Sequence, residues 1–337
     1  MAITVAINGF GRIGRQLARQ IVSNPNSNIS LKAVNTLENA AISAHLLKYD
    51  SCFGTFPLPV SADSNKLIIN NDISVSCSNE ADPSNLVWSE HDIDIVLECS
   101  GTNSPKWAEK HLHAGAKKVI ITAAVQHPDI TLCMGVNHNL YDHNVHHIIS
   151  GSSCTANCIA PVANLIHENF GIVTSLATII HSYTNTQNLL DTAHDNLRRA
   201  RSATRSIIPT QTSAAWQIPE IIPQLQGKFD GLAVRVPTPL MHLADITFIL
   251  SRTINYAELL EVIEEASQGP LKNILALSGK PLVSSDFRGC VFSSIIDSHH
   301  MHIHDNMLKL LLWHDNEYSY CCRIIDLVSH IGQYFKD

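Results

Sequence analysis

Apolar positions along the chain change their rhythm near residue 150. Before it, short β-branched or aliphatic runs recur: "ITVAIN" (3–8), "NISLKAVN" (28–35), "DIDIVLECSG" (92–101), "KKVIITAA" (117–124) and "VHHIIS" (145–150). Between them lie stretches with apolar residues three and four apart, such as "GFGRIGRQLARQIV" and "AISAHLLKY". Short strands alternating with helices predict a parallel, doubly wound α/β sheet covered on both faces. After residue 150 a helical "NCIAPVANLIHENFG" precedes longer strand-like runs, "SLATIIHSY", "GLAVRVPTP", "LADITFIL", "PLVSSDF" and "MLKLLLW". With "YAELLEVIEEAS" as a helix, that half predicts an α+β domain with a mainly antiparallel sheet. "RIIDLVSHIGQYF" closes the chain with helical spacing. The expected division is residues 1–153, joined by the C-terminal helix 319–337, and residues 154–318.

Composition narrows the class. A chain of 337 residues with 45% hydrophobic and 16% charged positions suits two globular domains rather than a disordered protein. The formal charge of -7 gives no general affinity for polyanions, so no specific nucleic-acid partner is expected and an anionic substrate must be held by local arginines. No leader segment is read at the N-terminus, and the longest apolar runs are far too short for a membrane span. A soluble, cytoplasmic protein is expected. Nine cysteines, an odd number without scaffold spacing, fit a reducing compartment, with Cys321 and Cys322 in the core or unpaired.

Gly9, Gly11 and Gly14 form G-x-G-x-x-G between the first strand and the first helix. Gly9 permits the turn, Gly11 lets a pyrophosphate approach the backbone, and Gly14 lets the helix pack on the strand with its N-terminus toward the anion. The first half thus reads as a Rossmann-type dinucleotide-binding domain; the alternative is a glycine-rich turn that binds nothing. An acidic residue is expected some twenty positions on to hold the ribose, but Thr36 stands there with Glu38 just beyond. NAD is the default cofactor, and NADP stays open.

"SGSSCTANC" (150–158) presents Cys154, which by itself could be a nucleophile, a metal ligand, half of a disulfide or a small buried side chain. A neighbouring imidazole, with His181 one candidate among nineteen histidines, would make it a thiolate, and a helix starting there would lower its pKa further. Arg198, Arg199, Arg201 and Arg205 cluster in "NLRRARSATRSIIP", either as a phosphate grip or as a solvated or interface loop. Arg235 lies inside an apolar strand, where its charge demands a partner. In "SHHMHIH", His300, His302 and His304 would share one face of a strand; they are read as surface histidines, and no metal site is expected.

Taken together, "NGFGRIGR", "SCTANC", "HSYT", "LRRAR", "IIPTQT", "RVPTP", "GPLK", "SSDF" and "WHDNEYSY" resemble, nearly end to end, the phosphorylating glyceraldehyde-3-phosphate dehydrogenases. The resemblance implies Cys154 as nucleophile and His181 as its base, with a thiohemiacetal, hydride transfer to NAD(P), a thioester and release of an acyl phosphate by inorganic phosphate. It implies Thr184 and Arg235 for the substrate phosphate, and Ser153, Thr155, Arg198, Thr212 and Ser213 around the attacking phosphate. Asn316 would orient the nicotinamide carboxamide, with Arg12 and Ile13 giving backbone contacts to the dinucleotide. A homotetramer is also implied. The sequence departs from the family pattern at Thr36, Ala81, Ala156, Ser213, Ser319 and Cys322. Erythrose-4-phosphate dehydrogenase is the sister branch, and a catalytically weak binding homologue is a further reading.

Overall fold

The computed structural model describes residues 2–24 and 27–335 and divides into two compact units. The first comprises Met1–Leu132, His138–Ser152 and Cys321–Asp337; the second comprises Cys133–Asn137 and Ser153–Tyr320.

The first unit is built on a nine-stranded sheet. The strand Ile3–Asn8 lies between Ile95–Glu98 and Ile29–Asn35, parallel to both. Lys118–Ile121 and Ile148–Ser150 extend the parallel order on one side, and Ile73–Ser78 on the other. Two strands that the apolar pattern did not announce, Val60–Asp63 and Lys66–Ile69, finish that edge as an antiparallel hairpin. The central strands are buried on both faces because helices cover them, so their side chains read as continuous apolar runs rather than alternating ones. Val96, Val119 and Ile121 pack with Trp88 and Ala108 in one core cluster.

A polar chain crosses this core. Trp88 Nε1–H donates to His111 Nδ1 at 2.9 Å, which leaves the other ring nitrogen, Nε2–H, to donate to Glu98 Oε2 at 2.9 Å. Glu98 also accepts from Asn8 Nδ2 at 2.6 Å and from the Ser100 N–H at 2.6 Å, and Asn35 Nδ2 donates to Asn8 Oδ1 at 2.7 Å. Burial raises the Glu98 carboxyl, yet these bonds outweigh it and hold the group below 4.5.

The second unit carries an eight-stranded sheet. Ile172–Ser182 pairs parallel with Phe229–Val236 and antiparallel with His242–Leu250, which in turn pairs antiparallel with Met307–His314. The sheet is mainly antiparallel, as the longer alternating runs predict. Burial alternates along His242–Leu250, so one face meets the helix Cys154–Phe170: Ile246, Phe248 and Leu310 join Ala156, Ile159, Ala163 and Ile166 in a single core. Pro161 sits inside that helix. One sequence expectation fails. "PLVSSDF" is not a strand but an irregular stretch ending in the 3-10 turn Ser284–Phe287, because Pro281 has no N–H and Asp286 Oδ2 takes the Val283 N–H at 2.8 Å.

The helix Tyr318–Gly332 carries the chain back to the first unit. None of the nine cysteines forms a disulfide; Cys321 is buried and Cys322 half-buried. No helix among the described residues is long and apolar enough to cross a membrane.

Candidate active site

Where the strand order reverses around Ile3–Asn8, the carboxyl ends of the central strands open onto a cavity of about 480 Å³. Gly9 (φ +92°), Gly11, Arg15, Thr36, Glu38, Glu80 and Thr102 are among its lining residues. A Cβ on Gly9 would lie 2.4 Å from the Ser100 nitrogen, and one on Gly14 would lie 2.2 Å from the Gly9 oxygen, so both glycines are required by close backbone approach. Gly11 has open space before it, as a backbone surface meant for an anion needs. Arg12 and Ile13 lie in the first turn of the helix Arg12–Ser23, where the Arg15 N–H donates to the Gly11 oxygen at 3.0 Å. The side chain of Arg12 pairs with Asp50. These features fit a dinucleotide. Thr36 is buried, and its Oγ1 accepts the Glu38 N–H at 3.4 Å, while Glu38 is exposed at the cavity wall. The carboxylates in the cavity wall are therefore those of Glu38 and Glu80, not residue 36, and Ala81 lines the same cavity without charge.

In the second unit Cys154 opens the helix Cys154–Phe170. Ser152, at φ +61°, turns the chain, and Ser153 caps the helix: its Oγ accepts the Ala156 N–H at 3.1 Å while its own N–H donates to Gln217 Oε1 at 3.2 Å. Thr155 is buried behind it, with its hydroxyl 4.0 Å from Cys154 Sγ. Burial raises the Cys154 thiol above its ordinary value; the Thr155 hydroxyl, the Arg235 charge and the first amides of the helix pull it down without cancelling the rise. The low thiol pKa expected from the helix terminus is thus not present in the free protein. The net direction is upward because desolvation outweighs the dipole.

His181 lies near the end of Ile172–Ser182, directly opposite Arg235 on the parallel neighbour. Burial first, then the Arg235 charge, hold His181 well below 6.5, so it is a neutral imidazole able to accept a proton. Its Nδ1 meets two groups with opposite demands: the Ser182 oxygen, 2.6 Å away, can only accept, and the Arg235 guanidinium can only donate. Arg235 Nη1 also donates to the Ser182 oxygen at 2.9 Å. Arg235 is itself lowered to about 10, by burial and then by the charge of Arg199. His181 makes no hydrogen bond to Cys154 in this structure.

The arginine facing this cluster is Arg199. It donates to Thr210 Oγ1 at 3.0 and 2.8 Å, and its charge acts on both Arg235 and His181. Arg198 is exposed and held through its backbone, its N–H donating to Asn196 Oδ1 at 3.0 Å and its carbonyl accepting the Arg201 N–H at 3.4 Å. Thr184 bonds Gln187 Oε1 at 3.1 Å, half-buried. Thr212 Oγ1 accepts the Ala214 N–H at 3.3 Å, and Ser213 caps the helix Ala214–Ile221. Asn316 Oδ1 accepts the N–H of Met241, a residue held at φ +76°, which leaves the Asn316 amide hydrogens as the end offered to a ligand. Two residues enter unannounced: His242, its ring tilted 42° to that of His181 with centres 3.4 Å apart, and His314, 5.0 Å from His242. By contrast His300 sits in a 3-10 turn beside Asp297, and the strand covers only His302–His304, all three histidines being exposed, so they do not form the single strand face expected of them.

Comparison with known proteins adds three observations. A family model described as "Glyceraldehyde 3-phosphate dehydrogenase, NAD binding domain" matches residues 3–106, and one described as "Glyceraldehyde 3-phosphate dehydrogenase, C-terminal domain" matches residues 153–316. The chain is 47% identical over 334 residues to the glyceraldehyde-3-phosphate dehydrogenase of Geobacillus stearothermophilus, covering 98% of this chain and 99% of the relative. It is 45% identical over 334 residues to glyceraldehyde-3-phosphate dehydrogenase 2 of Trichormus variabilis and 44% identical over 335 residues to glyceraldehyde-3-phosphate dehydrogenase 1 of Bacillus subtilis, again over 98–99% of each chain.

Proposed function

The chain belongs to the glyceraldehyde 3-phosphate dehydrogenase family, and from that membership we propose how its own residues carry the reaction. It is an NAD(P)-dependent oxidoreductase that converts glyceraldehyde 3-phosphate and inorganic phosphate to 1,3-bisphosphoglycerate. When bound, NAD(P) supplies the hydride acceptor. Cys154 Sγ attacks the aldehyde carbon, and the backbone N–H of Cys154 steadies the oxyanion. His181 takes the hydroxyl proton as the thiohemiacetal collapses, which leaves a thioester on Cys154. Phosphate then cleaves the thioester and restores the thiol.

The observation that carries this reading is the disputed proton on His181. While Arg235 donates to Nδ1, the lone pair sits on Nδ1 and is taken up by the guanidinium. An anionic substrate phosphate draws the guanidinium away; Nδ1–H then donates to the Ser182 oxygen, and Nε2 becomes the base. Substrate binding thereby switches on the base that the raised thiol of Cys154 requires. Arg199 rather than Arg198 supplies the positive charge on the attacking-phosphate side, with Thr155, Thr212 and the main chain of Ser213. Thr184 assists Arg235, and Asn316 offers its amide hydrogens to the nicotinamide carboxamide. We further infer a cytoplasmic homotetramer.

Initial rates of nicotinamide reduction test this reading, with glyceraldehyde 3-phosphate or erythrose 4-phosphate, NAD or NADP, and with or without phosphate. The expected result is phosphate-dependent turnover favouring the three-carbon aldehyde. Cys154→Ser should lower kcat by at least about 10⁴-fold, and His181→Asn by about 10² to 10⁴-fold. Undiminished turnover in Cys154→Ser would end the covalent mechanism.

A further inference from the structure

One ligand set in the second unit joins the nucleophile of the mechanism above to two histidines that the mechanism does not use. Cys154 Sγ, one ring nitrogen of His242 and one of His314 lie within 4.8 Å of one another. His242 and His314 are direct cross-strand partners, at the first position of His242–Leu250 and the last of Met307–His314, so sheet register fixes their approach. Their rings are nearly perpendicular, at 86°, and both residues are 1% exposed.

Hydrogen bonding leaves them incomplete. His242 Nε2 lies 3.0 Å from Ser182 Oγ, but His242 Nδ1 has no partner, and neither ring nitrogen of His314 has one. Unpaired polar nitrogens on buried side chains are costly, and apolar side chains at both places would avoid that cost. Together with the sulfur they present a soft thiolate ligand and two imidazoles, which suit zinc and not the oxygen-seeking magnesium or calcium.

We propose that Cys154, His242 and His314 form a site for one Zn²⁺ ion, with its fourth position left to solvent. Tetrahedral zinc with Zn–S near 2.3 Å and Zn–N near 2.0–2.1 Å sets ligand atoms roughly 3.3–3.6 Å apart, so the three groups close by about 1 Å. The Ser182 hydroxyl accepting from Nε2–H leaves the Nδ1 lone pair of His242 for the ion, the orientation that a second hydrogen bond gives a metal-bound histidine. On binding, hydrated Zn²⁺ sheds water, the thiol proton passes to solvent and a Zn–S bond forms, with no change of oxidation state. Metal capture itself is independent of the proposed catalysis. That it blocks turnover rests on Cys154 being the nucleophile.

The test uses the full chain without a histidine tag, stripped with chelator, and Co²⁺ as the optical stand-in for zinc. One equivalent of Co²⁺ should give intense tetrahedral visible bands and a near-ultraviolet thiolate-to-cobalt band, both removed by Zn²⁺. The exposed His302 and His304 cannot produce the thiolate band. Zn²⁺ should also protect Cys154 from alkylation by iodoacetamide and inhibit turnover until chelator is added. His314→Phe and His242→Ser should each lose the bands and the protection, weakening Zn²⁺ by more than the roughly 10–100-fold that loss of a supporting hydrogen bond costs. If one variant does not fold, the other decides. Absence of the thiolate band in the parent, or equal protection by Zn²⁺ in both variants, overturns the site. A protein that shows the bands but no turnover refutes the catalytic reading alone.

Discussion

His111 is enclosed between an indole donor and a carboxylate acceptor and satisfies both with one neutral ring. Replacing it by Ala leaves the Trp88 N–H without its acceptor and takes one donor from Glu98, which keeps Asn8 and Ser100, so His111→Ala should cost about 1–3 kcal/mol in chemical denaturation near pH 7. The pH course follows from Glu98, whose folded carboxyl lies below its free value. Stability from its ionisation is present above the free carboxyl range and is lost as pH falls through the folded value, so parent and variant should converge in acid. Residues differ in how openly the sequence declares them. Cys154, His181 and Arg235 sit in dense motifs, and a charge in an apolar strand announces itself. His242 and His314 do not, being two of nineteen histidines joined only by strand register. Arg199 and Arg198 are adjacent in the chain, and only the turn of the loop decides which faces inward.

At the scale of elements, the glycine turn is the most demanding join, because strand and helix approach to backbone contact there. Gly14→Ala places a methyl against the Gly9 oxygen and must push the helix off the strand. The variant should bind NAD at least tenfold more weakly, by about 1.4 kcal/mol or more, and melt earlier, as titration calorimetry and thermal unfolding would show. Most elements were legible because period separates buried parallel strands, half-buried antiparallel strands and helices. The runs that misled were short. "PLVSSDF" has strand composition, but a proline and a side-chain carboxylate claim its backbone, and Val60–Asp63 is too exposed to leave an apolar trace.

For the whole molecule, the chain has two compact units, and an assembly of copies would leave no periodic signal in the sequence. What points to assembly is apolar surface: Leu176 and Leu232 stand 66% and 46% exposed on the outer side of neighbouring strands, and Leu190, Leu197 and Ile207 stand out from the arginine-rich loop. Light scattering should therefore report a tetramer for the parent and smaller species for Leu176→Glu, with a monomeric parent counting against the assembly. A quieter consequence lies in the helix behind the nucleophile. Pro161 offers no N–H to the Asn157 carbonyl, so the ladder of that helix is interrupted one turn after Cys154. Ala156, Cys158 and Ile159 before the proline and Ala163 and Ile166 after it are all buried in one core, so what keeps the segment behind Cys154 in line across the missing bond is side-chain packing on both sides of it.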